Sequence, residues 1–580
     1  MKNSSHMTPY NTATKSVIYT LVSTLLFFLL LETWKPYFFL DGDNLAGVLG
    51  SFRDIGTSLI SFRLPEKFNS LYNGNFSLLE DYSSLTIWHP LHLLSAVIAT
   101  TRYAFWSIEI LCLINSLLAT GFMALTIQYI AEKYKYTVHP VTTVLISLSY
   151  NFSFYFLIIG PVWFSFLGNQ AAICIISAGL FAKSKKWGVL LVFIGMFHNM
   201  FGGHLSPFLY SIFFISVWTV GLSFIEKSWD KVIRLVLGGS AVLILSLPLL
   251  IIYCKNFIGS ERHLAYLPEI AQQHNIPFFT QVTDFIFGFL GLWIQQGFVL
   301  PNIGHHHVLL TMGGFAFLVI CIFSKKWTRP EILTGLLLLM VMLFIDRPNW
   351  LQSILSNIPL YRSLRWPIRE CIYSIFFAHI LLAMRWHKVK PYLRRSAFIV
   401  GILFFLMSIL LRPLPSIAPF DLDRDLLLSG KADVFWRLIL KDLNAPFNPL
   451  IIPLVKNSIA DQYRPAEIDR MTPHVMTGAY NYPPLLQMRS VTGYTMSGGN
   501  YRFEGIQSYF CSGYFKTQEY SAINKTFPET VITELMSLYP ITIKYTLGQR
   551  SLILVYSDED KQFIMIKNEI KQTPSEKKMN

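Results

Sequence analysis

Long apolar runs recur along most of this sequence, and they constrain its fold more than any other feature. A helix that crosses a bilayer needs roughly 20 predominantly apolar residues, and about eleven runs approach that length. They cover residues 16–33, 104–131, 141–160, 165–183, 187–202, 206–225, 233–253, 307–324, 331–346, 371–385 and 396–411. The hydrophobic content of 53% exceeds what a soluble core needs. These runs predict an all-α, polytopic membrane bundle.

The basic residues predict how this bundle is oriented. Lysine and arginine collect in short loops between the runs, and such loops lie on the cytoplasmic side of a membrane. These loops cover residues 133–135, 183–186, 227–234, 325–329 and 385–395. All of them fall on one side if the N-terminus, with Lys2 and Lys15, is cytoplasmic, and the C-terminus is then external. Topology thereby explains the formal charge of +14, and no nucleic-acid-binding motif accompanies it.

Two loops and a tail are predicted to be external: residues 34–102, 255–306 and 412–580. In the second loop, Val282–Val299 is apolar enough to cross the membrane. A crossing there would break the charge rule, so we expect a re-entrant or interfacial helix. We expect another such helix after His89-Pro90 in the first loop.

The tail has the composition of a soluble domain. It mixes polar and apolar residues, and the stretch from Ser551 to Ile566 is typical of a β-hairpin. We therefore expect a membrane bundle over residues 1–411 and an external α+β domain over residues 412–580. The N-terminal apolar run lacks a small-residue cleavage site, so we interpret it as a retained first span.

Two carboxylates, Asp41 and Asp43, follow the first span directly. At the membrane surface they could act as a general base or hold a metal ion, since carboxylates at membrane depth tend to be functional. The plainer alternative is a polar loop that ends a helix.

A second candidate is His204, which follows a pair of glycines between two predicted spans. Histidine is a usual proton shuttle or phosphate donor, but an interfacial histidine at a helix end is an equally good interpretation. The run His305-His306-His307 is poorly suited to bind a metal ion, because consecutive helical residues point in different directions. His89 and His92 share a helix face, but no third ligand accompanies them.

The densest basic feature is a segment in which Arg362, Arg365 and Arg369 fall within eight residues. They lie on the predicted external face, where the charge rule does not put arginines. Such a cluster suggests capture of an anionic ligand, because the guanidinium donates paired hydrogen bonds to phosphate. Contact with lipid headgroups is the alternative.

The order of these motifs resembles that in bacterial YfhO-like membrane proteins, a branch of the GT-C glycosyltransferase superfamily. An Asp follows span one, a glycine-to-aromatic stretch leads to a Pro-Leu helix start, a Gly-His turn precedes another span, an Arg-x-Pro-x-Arg element precedes a late span, and the tail carries a Gly-Tyr segment. In this chain the five motifs are, in the same order, Asp43 (or Asp41), the stretch from Gly74 to Leu94, Gly203-His204, Arg365-Trp366-Pro367-Ile368-Arg369 and Gly493-Tyr494. The family usually has one such Asp, whereas this chain has two.

The resemblance implies an inverting transfer of sugar from a polyprenyl-phosphate donor, on the external face of a bacterial inner membrane, to a glycan, lipid or protein acceptor. It implies a base at Asp43, with Asp41 second, and lipid-phosphate binding by Arg369 and Arg365, with Arg362 and His204 in support. Some GT-C enzymes use a divalent ion, although the first loop shows no complete ligand set. Two other functions stay open: a transporter or flippase of a lipid-linked glycan, and a non-catalytic envelope assembly protein.

Overall fold

A computed structural model describes a large part of the chain. The described residues are 9–63, 88–153, 156, 159–257, 278, 326–358, 370–392, 394–395, 399, 418–430, 432–433, 437, 450–454, 482–486, 489–490, 552–557 and 562–567. Several predicted features lie outside them: the runs at 307–324 and nearly all of 396–411, Val282–Val299, the three consecutive histidines, the segment with Arg362, Arg365 and Arg369, and Gly493-Tyr494.

Helices make up most of the described chain. They are α1 (Pro9–Trp34), α2 (Gly50–Ile60), α3 (Pro90–Ala99), α4 (Trp106–Lys133), α5 (Pro140–Asn151), α6 (Ser165–Phe181), α7 (Lys185–Phe197), α8 (Leu205–Glu226), α9 (Asp230–Phe257), α10 (Arg329–Asp346), α11 (Asn349–Ser356), α12 (Cys371–Arg385), α13 (Ala418–Leu428) and α14 (Tyr482–Leu485). Two π-helical segments, Asn44–Leu49 and His198–Gly202, and a short 3-10 helix, Trp386–Lys388, accompany them.

In the part of the tail that the structure describes, four strands form one sheet in the order β2-β1-β3-β4. They are β1 (Leu450–Leu454), β2 (Arg489–Ser490), β3 (Leu552–Ser557) and β4 (Gln562–Lys567). Strands β3 and β4 pair antiparallel, with Ser557 opposite Gln562, at the position where the sequence predicts a hairpin. The larger prediction of an external α+β domain stays a prediction.

Among the described residues, four helices are long and apolar enough to cross a membrane. They span Thr12–Trp34, Trp106–Lys133, Leu205–Glu226 and Asp230–Ile251. Many of their outward side chains are apolar: Leu30 is 69% exposed and Ile244 is 71% exposed. An exposed apolar surface of this kind suits lipid and is unfavourable in water. The structure thus supports an all-α membrane protein, and the number of spans, about eleven by the length rule, stays a prediction.

Contacts within the chain divide it into two units. Unit 1 comprises Met1–Phe39, Glu109–Ile251 and Ala265–Pro415, and unit 2 comprises Leu40–Ile108, Ile252–Leu264 and Ser416–Asn580. Unit 2 draws on each of the segments that the charge rule predicts to be external. The predicted domain boundary at residues 411 and 412 stays a prediction.

Small residues and hydroxyls let the helices of unit 1 pack closely, as is common where lipid supplies no hydrophobic driving force. The hydroxyl of Thr24 on α1 donates to that of Thr120 on α4 at 2.9 Å. Between α6 and α7, a Cβ added to Gly179 would lie 2.8 Å from the carbonyl oxygen of Gly188. These contacts hold the backbones of neighbouring helices close together.

The predicted cytoplasmic loops meet in two groups within unit 1. In the first group, the carboxylate of Glu226 forms an ion pair with Lys231 and lies 3.4 Å from Lys133. Lys183 forms an ion pair with Glu132. Three of the five basic loops therefore lie together.

The other two basic loops meet at Glu331. Its carboxylate accepts from Arg385 at 2.8 Å and from Lys388 at 2.6 Å. The ring of Tyr136 stacks on that of His387 with centroids 4.3 Å apart, which joins the two groups. All five loops therefore lie at one end of unit 1, as the charge rule requires. The side of the membrane that this end faces stays a prediction.

Helix α5 ends earlier than the apolar run 141–160 predicts. The side-chain amide of Gln170 donates to the carbonyl of Tyr150 at 2.8 Å and to that of Asn151 at 3.4 Å. The last carbonyls of a helix lack partners within it. Because a neighbouring helix supplies a donor here, α5 can end inside the bundle.

Candidate active site

Asp41 begins a new helix in unit 2. It is buried, with 6% of its surface exposed, and its Oδ1 accepts from the backbone N–H of Gly42 at 2.8 Å. Its carbonyl oxygen accepts from the N–H groups of Asn44 at 3.1 Å and Leu45 at 3.3 Å. Gly42 has a φ of 47°, a left-handed conformation that glycine adopts at little cost. Asp41 thus fixes the start of this helix.

Asp43 occupies a different position in the same turn. It has helical backbone angles, with φ −65° and ψ −26°, and its carboxylate does not cap the π-helical segment that follows. The side chain is partly exposed. Segments of π-helix are rare and frequently occur at functional sites. Because Asp41 supplies the contacts at the helix start, the carboxylate of Asp43 is not required for that purpose.

The helix after Asp43 packs tightly within unit 2. A Cβ added to Gly56 on α2 would lie 1.9 Å from the carbonyl oxygen of Ala96 on α3, so the two helices touch through backbone. On the tail side, Nη1 of Arg53 donates to the carbonyl of Leu485 at 2.8 Å. The first loop and the tail therefore build one body around the helix that follows Asp43.

The predicted histidine pair also lies in unit 2. His89 immediately precedes α3, and its ring lies 5.1 Å from that of His92, centroid to centroid. Both side chains are buried. Burial lowers the pKa of His89 from 6.5 to about 4, so its imidazole is neutral at physiological pH.

His204 lies in unit 1, where it begins α8 as the Gly-His motif predicts. Gly203 alone separates it from the π-helical segment His198–Gly202. Its Nδ1 accepts from the backbone N–H of Ser206 at 3.2 Å, and the ring of Phe166 stacks on its ring with centroids 4.7 Å apart. The residue is buried, at 8% exposure. This geometry agrees with the helix-capping interpretation and leaves the phosphate role a proposal.

Sequence reasoning missed Asn169, which holds the turn before His204. Its Oδ1 accepts from the backbone N–H of His204 at 2.7 Å. Its Nδ2 lies within hydrogen-bond distance of the carbonyl oxygen of His204 at 3.1 Å, the carbonyl oxygen of Asn199 at 3.2 Å and Oδ1 of Asn199 at 2.7 Å. Two of these contacts pin both backbone groups of His204. No pattern in the sequence joins Asn169 to residues so distant along the chain.

A buried polar group lies further along α8. Arg347 donates to the hydroxyl of Tyr210 and lies 3.8 Å from the carboxylate of Glu370. The hydroxyl of Tyr373 donates to the carbonyl of Pro207. Arg347 and Glu370 are 1% and 0% exposed. An arginine at the predicted outer end of an apolar run is the signal that could have revealed Arg347.

This group includes the residue next to the arginine segment, whose Arg362, Arg365 and Arg369 lie outside the described residues. Glu370 follows Arg369 directly in the sequence. Through Arg347 it is tied to Tyr210 on α8, the helix that His204 begins. Glu370 is therefore linked to the helix that carries another predicted site residue.

A pair of buried glutamates at the ends of two membrane helices was also missed. Glu32 on α1 accepts from the N–H of Tyr37 at 2.9 Å, and Glu109 on α4 accepts from that of Phe39 at 2.8 Å. The pair thus fixes the backbone that leads to Asp41.

Within the described residues, no group of three or more His, Cys, Asp or Glu side chains is arranged to hold a metal ion. Asp41 and Asp43 belong to unit 2, whereas His204 and Glu370 belong to unit 1. Comparisons with protein family models, with curated proteins and with solved structures found no match.

Proposed function

We propose that this chain is an integral-membrane glycosyltransferase of the GT-C type. It transfers a sugar from a polyprenyl-phosphate donor to an acceptor of the cell envelope, on the external face, with inversion at the anomeric carbon. The observation that carries the proposal is the division of roles between the two aspartates. Asp41 supports the helix start, and Asp43 lies two residues later in the same turn, partly exposed and not used as a cap.

In the proposed reaction, the acceptor hydroxyl oxygen attacks the anomeric carbon while its proton passes to the carboxylate of Asp43. The bond from the anomeric carbon to the phosphate oxygen breaks, and the lipid phosphate leaves with the electron pair. An aspartate that is ionised near neutral pH can accept this proton. Charge grows on the phosphate as the bond breaks, and preorganised arginine donors stabilise it.

The arginine segment supplies those donors in this proposal. Arg369 and Arg365 contact the phosphate, with Arg362 and His204 in support. In support, Glu370, which follows Arg369 in the sequence, has a buried partner in Arg347. The outer ends of the membrane helices would then provide the groove for the polyprenyl chain.

The test compares the envelope glycans of cells that lack the gene with those of cells complemented by variants. Asp43→Asn is expected to abolish the sugar transfer that wild type restores, because asparagine keeps the shape but cannot accept a proton. General-base catalysis typically contributes on the order of 10²–10⁴ in rate. Asp41→Asn should do less, since its amide oxygen can still accept from Gly42.

Asp54→Asn is the matched control, because Asp54 is a buried acid of the same helical stretch that the mechanism does not use. Each variant is measured only where detergent extraction shows folded protein. Full activity of Asp43→Asn would refute the assignment of the base. If deletion leaves every glycan intact but traps a lipid-linked glycan on the inner leaflet, the protein is a flippase.

A further inference from the structure

A cavity of about 280 Å³ lies at the end of unit 1 where three of the basic loops meet. The ends of α4, α6 and α8 and the beginning of α9 surround it. Its basic lining residues are Lys133, Lys183, Lys231 and Arg234. This end of the bundle is opposite to the end that carries His204, so the cavity is separate from the proposed site.

Arg234 is built into the wall of this cavity. It is 7% exposed, and its Nη1 donates to the carbonyls of Gly179 at 3.0 Å and Ala182 at 2.5 Å. A Cβ on Gly188 would lie 2.7 Å from that Nη1, so a glycine is needed for the guanidinium to pass. Its buried Nε has no hydrogen-bond partner in the part of the chain that the structure describes.

The carboxylates of the cavity already have partners. Glu226 accepts from the hydroxyl of Tyr134 at 2.8 Å and pairs with Lys231 and Lys133. The cavity lining holds four cationic side chains against three carboxylates, those of Glu132, Glu226 and Asp230. One positive charge is therefore in excess. Each ammonium group has three donors, more than these pairs use.

We propose that this cavity binds a phosphate group. Phosphate accepts charge-assisted hydrogen bonds from lysine and arginine together, and it would offer an acceptor to the cations that the carboxylates leave partly unsatisfied. Basic pockets between membrane helices on the cytoplasmic side bind the headgroups of anionic lipids. The phosphate can belong to such a lipid or to a soluble compound. The proposal does not depend on the glycosyltransferase function.

Two double variants test the proposal with equal loss of charge. Lys133→Gln with Lys183→Gln removes two lining lysines whose side chains are 46% and 73% exposed, so the fold should tolerate the change. Lys135→Gln with Lys186→Gln removes two exposed lysines of the same loops that do not line the cavity. The second pair therefore reports on general attraction to an anionic surface.

Native mass spectrometry of the purified full chain in detergent measures binding of added phosphatidylglycerol, with diacylglycerol as the phosphate-free lipid. A second arm measures thermal stabilisation by inorganic phosphate against chloride at constant ionic strength. We expect the lining pair to weaken phosphate-dependent binding about tenfold and the other pair to leave it within about twofold.

If the two double variants differ in binding of phosphatidylglycerol, the phosphate belongs to a lipid. If they differ in thermal stabilisation by inorganic phosphate, it belongs to a soluble compound. Equal loss in both double variants would assign the attraction to the surface as a whole and overturn the proposal. Absence of phosphate-dependent binding in both arms would overturn it as well.

Discussion

Replacing Asn169 by aspartate tests whether this residue holds the turn before His204. Nδ2 of Asn169 faces three oxygens at 2.7, 3.1 and 3.2 Å, and an aspartate presents a fourth oxygen there. The amide nitrogen has two N–H donors to share among these oxygens, so two donated hydrogen bonds are lost, each with a net contribution of about 1 kcal/mol. We therefore expect unit 1 to lose at least about 2 kcal/mol, since burial of an unpaired carboxylate adds to the loss.

The free energy of unfolding is measured by titration of the detergent-solubilised protein with SDS, followed by tryptophan fluorescence. Ser177→Ala is the control on the same helix. Ser177 is fully buried, but its hydroxyl donates only to the carbonyl of Ile173 one turn earlier, at 2.8 Å. Its loss should cost about 1 kcal/mol or less. Equal destabilisation by the two substitutions would refute the assigned role of Asn169.

Other predictions concern the donor site, the pH response and the topology. Arg369→Ala should weaken binding of a polyprenyl-phosphate sugar by roughly 1.5–3 kcal/mol, with partial recovery in Arg369→Lys. Unchanged affinity in both variants would indicate that the arginines contact lipid headgroups and not the donor phosphate. The pKa of His89 falls from 6.5 to about 4 on folding, so the unfolded chain takes up the proton first as pH falls. Stability of unit 2 should therefore drop by about 3 kcal/mol between those values. His89→Gln should remove that drop in pH-dependent unfolding, whereas His139→Gln at an exposed position should not. Alkaline phosphatase fused after residue 580 should be active, and a cytoplasmically fluorescent C-terminal fusion would contradict the predicted orientation.

The sequence predicts the features that depend on local patterns. Apolar runs predict the long helices, and His204 begins a helix where the Gly-His motif places one. The charge bias predicts that the basic loops share one end of the bundle, which the contact between Tyr136 and His387 supports.

Features that depend on distant partners could not be predicted from one sequence. Asn169 and His204 are 35 residues apart, and Arg53 contacts Leu485 across 432 residues. No periodicity or composition connects such pairs, because their contacts arise only when helices pack. The early end of α5 has the same origin, since its terminal carbonyls are satisfied by Gln170 on another helix.

Both ends of unit 1 hold buried cations against buried glutamates. At the end with the basic loops, Lys231 and Arg385 each meet a buried glutamate, so these cations stabilise the fold. At the other end, Arg347 is the buried cation that meets Glu370, and it fixes the residue directly after Arg369. Each end of unit 1 thus holds a buried arginine against a buried glutamate, Arg385 with Glu331 and Arg347 with Glu370, so burial of these cations depends on a paired carboxylate.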